Sequence, residues 1–217
     1  MDRTSLAKAI RQPKAAAVAG LVFGLILTTV LLLLQSVAPQ TTSELGSWAE
    51  DQSRRDSIVA ALALIPFAGI AFLWFVAVVR SELGRLGDRF FETVFLASGL
   101  LFVAMLFAAA AVLSALLSLV DIGFPMVPVT EANAWALASA LMGQFGTRMA
   151  AVFALTVSTA GRLAGTLPRA VAFLGYVCGI LLLLTPPVPR WAQFLFPIWV
   201  ITLSLVVLLR RPKPVEP

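Results

Sequence analysis

Residues 93–120 read TVFLASGLLFVAMLFAAAAVLSALLSLV, 28 positions without one ionisable side chain. As a helix the stretch measures about 42 Å at about 1.5 Å per residue, and the hydrocarbon layer of a bilayer is roughly 30 Å thick. A helix apolar on every side over that length belongs to the core of a large protein or to a membrane, and in a chain of 217 residues the stretch predicts a membrane-spanning helix that tilts or projects beyond the hydrocarbon. The rest of the chain agrees. Hydrophobic residues make up 60% of the 217 positions, charged ones 12%, and the mean hydropathy is +0.96, whereas soluble chains run at about 45 to 50% apolar and about 25% charged.

Working outward from this run, five further apolar stretches have the length and composition of spans: residues 15–34, 57–79, 135–160, 170–184 and 194–209. The reading is an all-α, polytopic transmembrane helical bundle, a single membrane domain over residues 1–217. The first run resembles a signal peptide in following Arg3, Lys8, Arg11 and Lys14 and in preceding Ser36-Val37-Ala38. It is longer than a signal core of about 7 to 15 residues, and Pro39 obstructs the would-be cut, so a retained helix is expected. Pro66 predicts a bend in the second span, because it removes the donor for the Leu62 carbonyl. In the polar loop Gln35 to Asp56, Ser43 predicts the cap of a short surface helix bearing Trp48. Gly123, Pro125 and Pro128 predict a loop before the fourth span. Pro186, Pro187 and Pro189 predict the turn between the last two, with Pro197 tolerated in the opening turn of the sixth.

Six spans put both termini on one side. The N-terminal segment, the loops Arg80–Glu92 and Gly161–Arg169 and the C-terminal tail hold twelve Lys or Arg, against three (Arg54, Arg55 and Arg190) in the opposite loops. By the positive-inside rule both termini are cytoplasmic. The net charge of +5 and pI near 10.3 are thereby a topology signal, and no nucleic-acid partner is expected. Thirteen of the sixteen cations are Arg and alanine is abundant, an association that suggests a GC-rich bacterial genome, and the expected location is a bacterial plasma (inner) membrane.

With no histidine, imidazole bases, His-ligated metals and Ser/His/Asp or Cys/His triads are excluded. The one cysteine, Cys178, has no partner for a disulfide or a CxxC pair and reads as inert packing. The apolar runs hold no Asp or Glu, and the loops hold no phosphate-cradling GxxxxGK[ST] and no GxSxG elbow. No enzyme, cofactor or metal is expected. The residue that stands out is Arg148, the one cation inside an apolar run, since an ionised side chain at the bilayer centre costs about 2.5 to 3.5 kcal/mol on insertion scales. Gln144 one turn before it and Thr159 three turns after it fall on the same helical face, so the three define a candidate polar site for a carboxylate, a phosphate or a lipid head group. Two structural readings compete. Gly143 and Gly146 could break the helix so that Arg148 snorkels at the outer interface, or Arg148 could pair with Asp121 or Glu131. Small residues every fourth position, at Ala16, Gly20 and Gly24, at Gly146, Ala150, Ala154 and Ser158, and at Gly175 and Gly179, predict close helix packing inside the bundle.

Three stretches, DRFFETVFLASGLLFVAMLFAAAAV from Asp88, RMAAVFALTVSTAGRLAGTLPR from Arg148 and FPIWV from Phe196, resemble a group of small, uncharacterised bacterial integral membrane proteins. The likeness covers about the C-terminal two thirds of the chain. It implies six spans and a plasma-membrane location and transfers no functional residue. The sequence thus points to a membrane accessory or interaction protein whose partner is the lipid bilayer. The alternative is a small permease or channel for an anionic or amphiphilic solute, with an anionic lipid or small anion held at Arg148. A bundle sealed at that level favours the first, and a water-filled cavity reaching Arg148 the second.

Overall fold

The computed structural model describes residues 3–39, 41, 44–45, 51–83, 89–123, 127–184 and 189–209. Among them every regular element is helical: α1 (Arg3–Val37), α2 (Gln52–Leu83), α3 (Arg89–Asp121), α4 (Pro128–Ala140), a π-helical segment (Leu141–Gly146), α5 (Thr147–Leu163), α6 (Arg169–Leu184), a 3₁₀ turn (Arg190–Phe194) and α7 (Leu195–Leu209). Five helical stretches are long and apolar enough to cross a bilayer: Ala17–Val37, Gln52–Arg80, Phe90–Asp121, Pro128–Leu163 and Arg190–Leu209. Helix α6 is apolar but shorter. The proposed cap at Ser43, Trp48, Pro125, Pro186, Pro187 and the C-terminal tail lie outside the described residues.

Several boundaries differ from those read in the sequence. Helix α2 begins at Gln52, inside the stretch expected to be loop, because an exposed polar segment can extend a helix already nucleated by its apolar part. Its start is capped by Asp51, whose Oδ1 accepts the Ser53 and Arg54 amides at 3.0 and 3.3 Å. The helix runs on through Pro66 without a change of element. The fourth apolar stretch does not break at its glycines. It begins at Pro128, a residue suited to an opening turn, and continues to Leu163 by widening into the π segment at Leu141–Gly146. Glu131 therefore belongs to this long apolar helix and is 1% exposed. A carboxylate thus lies in the helix that carries the fourth apolar run, just before the run itself.

Helix α5 stops at Gly165, whose φ of +64° is a left-handed conformation that glycine adopts without a Cβ clash. The Gly165 and Thr166 amides close back on the Arg162 and Gly161 carbonyls, both at 3.0 Å, the paired bonds of a Schellman ending. The short connection turns α6 back along α5. Helices α2 and α3 are clasped at both ends by ion pairs, Arg55 to Asp121 at 2.8 Å and Arg80 to Glu92 at 2.7 Å. Both pairs are substantially exposed, so each adds at most about 1 kcal/mol. The remaining cohesion comes from packing.

At the centre lies a cluster of buried rings contributed by five helices: Phe23 from α1, Phe72 and Phe75 from α2, Phe95 and Phe102 from α3, Phe153 from α5, and Phe196 from α7. Ring centroids are 4.5 Å apart for Phe23 and Phe72, 5.1 Å for Phe72 and Phe153, and 5.0 Å for Phe102 and Phe196, within the range where aromatic pairs attract. Helix α6 has no ring in this cluster and approaches through small residues. An added Cβ at Gly175 would overlap Ser158 Oγ, and one at Gly179 would meet the Ala151 carbonyl at 3.0 Å. Gly20 and Gly24 similarly seat α1 on α7 and α2, facing Ser204 and Phe75, and Ile201 and Pro197. The small-residue stripes on α1 and α6 thus face partners within the chain.

Candidate functional site

Arg148 follows the π segment and folds its side chain back onto it. Widening a helix shifts its amides onto carbonyls five residues back, as when the Thr147 amide reaches Met142. Two side chains bond back onto carbonyls of this segment. Thr147 Oγ1 donates to the Gly143 carbonyl at 2.8 Å, and an Arg148 guanidinium N–H donates to the Gln144 carbonyl at 2.7 Å. The arginine is half-buried. No ion pair of Arg148 occurs among the described residues, and Asp121, offered by the sequence as its partner, is taken by Arg55.

Of the three residues predicted to share a polar face, Gln144 and Arg148 are brought together through that main-chain carbonyl. Thr159 is not joined to them. Its hydroxyl donates to the Leu155 carbonyl at 2.8 Å and accepts from Tyr176 of α6 at 3.2 Å. Arg148→Gln should fold, lose about 0.5 to 1.5 kcal/mol with the carbonyl contact, and respond to added anions and anionic lipids as wild type does. A thermal-shift series on both proteins checks this, and anion stabilisation confined to wild type would establish Arg148 as an anion site.

A cleft opens elsewhere, at the end of the bundle where α1 finishes and α2 begins. It is bounded by α1, α2, α3, α4, the π segment and the 3₁₀ turn, and Gln144 lines it while Arg148 and Thr159 do not. Its chamber, about 260 Å³ with the mouth included, is walled largely by aliphatic side chains such as Leu27, Leu31, Ile65, Leu106 and Leu113. At its mouth stand Gln35, Ser139, Gln144, Arg190 and Gln193. Gln193 lies over Gly143, where a Cβ would come within 3.1 Å of its amide nitrogen. Gln35 donates to the Arg190 carbonyl at 3.0 Å and Arg190 to the Pro39 carbonyl at 3.4 Å. These two bonds tie the end of α1 to the turn before α7.

A vestibule of about 320 Å³ adjoins the chamber and shares Ala38, Trp135, Ala136, Ser139 and Arg190 with it. Sequence reasoning did not single out Gln35, Trp135, Arg190 or Gln193 as a group. Glutamines at the edges of apolar runs and an arginine beside Trp191 were the available signals, but Gln35 and Arg190 are 155 positions apart. Among the described residues no group of His, Cys, Asp and Glu is placed to hold a metal ion.

Compared with known proteins, the chain matches no family model, no curated protein and no solved structure. Fold and composition define its class: an all-helical, multi-pass membrane protein.

Proposed function

We propose that the chain is a non-catalytic accessory or interaction protein of a bacterial plasma membrane, crossing it six times with both termini in the cytoplasm. The observation that supports this reading is the filled centre of the bundle. Seven phenylalanines from five helices are each at most 2% exposed, leaving no room for the water column that a conducting pore needs. The cleft ends above this layer and does not reach Arg148, which weighs against a permease using that residue. Helix α6, with 16 residues, extends about 24 Å and serves as the sixth span with local bilayer thinning or flanking polar ends.

Two measurements test the reading. Reporter fusions after Lys14, Glu82, Gly165 and Arg211 should report cytoplasm, and fusions near Trp48 and Val129 the outside; a cytoplasmic signal at Trp48 rejects the topology. Purified protein in sealed vesicles should raise neither anion nor proton leak above that of empty vesicles, and a protein-dependent flux would restore the permease.

A further inference from the structure

Trp135 poses a problem that the fold leaves open. Its side chain is 8% exposed, yet its indole N–H is buried without an acceptor, a condition that costs about 1 to 3 kcal/mol. The residue lines both the chamber and the vestibule, so an occupant of the cleft is a candidate source of the missing acceptor. The chamber is largely aliphatic, and the vestibule, itself mostly apolar, adds Thr41, Ser139 and the Arg190 guanidinium towards its outer side. Arg190 at the mouth is exposed, gives one hydrogen bond to a carbonyl and makes no ion pair among the described residues. Trp191 beside it is 64% exposed, as befits a ring lying at head-group depth.

We propose that the cleft binds an anionic membrane phospholipid, with one acyl chain in the chamber, the phosphate on the Arg190 guanidinium and an ester carbonyl accepting from Trp135 Nε1–H. The second chain stays in the bilayer. A neutral lipid would fill the chamber equally well but leave Arg190 without a counter-charge, and a guanidinium fork matches a phosphate geometrically. The proposal is independent of the accessory-protein reading, since a lipid site is compatible with any activity of the bundle.

The test uses the full chain in phosphatidylcholine vesicles containing a rising fraction of phosphatidylglycerol brominated on its acyl chains. Bromine quenches tryptophan on contact, and the Trp135 signal is the difference between wild type and Trp135→Phe. Buried Trp135 is shielded from lipid that merely surrounds the protein. Half-quenching should need an about ten-fold lower fraction of brominated phosphatidylglycerol than of brominated phosphatidylcholine, the selectivity that about 1.4 kcal/mol of charge-assisted bonding gives. Arg190→Gln should abolish the difference, Ser139→Phe should protect Trp135 from both lipids by obstructing the cleft, and Arg148→Gln should change neither. Equal half-points for the two lipids in wild type would overturn the proposal, as would a preference that survives Arg190→Gln. Relief of quenching by inorganic phosphate would assign Arg190 to a free anion and overturn it too. Should a variant fail to fold, the wild-type comparison of the two lipids decides alone.

Discussion

Replacing Gly175 and Gly179 together by isoleucine is expected to destabilise the purified protein by about 2 to 6 kcal/mol, at about 1 to 3 kcal/mol per overpacked site. Apolar helices do not gain from leaving lipid for one another, so their association depends on close contact. At Gly175 even a Cβ would overlap Ser158 Oγ and approach Trp199 Nε1 to 2.7 Å, and at Gly179 it would crowd Leu155 and the Ala151 main chain. Side chains can rotate away, but a carbonyl of a packed helix moves only with its helix, so α6 would have to lift off α5. Trp199, whose Nε1–H donates to the Val171 carbonyl at 3.4 Å, would lose its tie to α6 as well. Thermal unfolding followed with light scattering in detergent is the measurement. A variant that stays a stable monomer with an unchanged melting temperature would show that these glycines face lipid or a second molecule.

Phe153→Ala should cost about 2 to 3 kcal/mol, near the lower end of the about 3 to 5 kcal/mol seen for such truncations in soluble cores. The reduction has a physical reason: unfolded helices in a bilayer already surround Phe153 with hydrocarbon, so the transfer contribution largely cancels while the lost dispersion contacts and the cavity remain. Phe153 touches Phe72, Phe75, Phe95 and Phe196, with its centroid 4.9 Å from that of Phe95, and thereby joins α5 to α2, α3 and α7. Phe67, 63% exposed, is the comparison, and Phe67→Ala should change stability by less than about 0.5 kcal/mol. Equilibrium unfolding of both variants in mixed micelles would check this; equal losses would mean that the ring cluster does not hold the helices together.

The accessory-protein reading, the lipid site and the bundle centre are separable. Vesicle flux addresses the first, tryptophan quenching the second and unfolding the third, and none presupposes another. The cleft also gives α4 a structural role. Its residues Trp135 and Ala138 pack with Val37, Ile58, Leu113 and Leu116 in a second apolar cluster, apart from the phenylalanines. A lipid chain in the chamber would lie between the two clusters.

By itself the sequence determined that the chain is helical and membrane-embedded, because bilayer thickness and the cost of burying charge act on each run separately and can be read residue by residue. The runs at 93–120 and 194–209 match α3 and α7 closely, and Pro197 falls in the opening turn as expected. Glycines at every fourth position announced close approach, although not the neighbour they approach. Only the tertiary structure decided that the fourth helix continues past its glycines by π widening, with Gln193 beside Gly143 and Met105 beside Gly146. It likewise decided that Arg148 caps a main-chain carbonyl, that Glu131 is buried, and that Gln35, Trp135 and Arg190 converge on one cleft. Hydropathy is a property of one segment at a time, whereas a site assembled from α1, α4 and the turn before α7 exists only once helices far apart in the chain lie side by side.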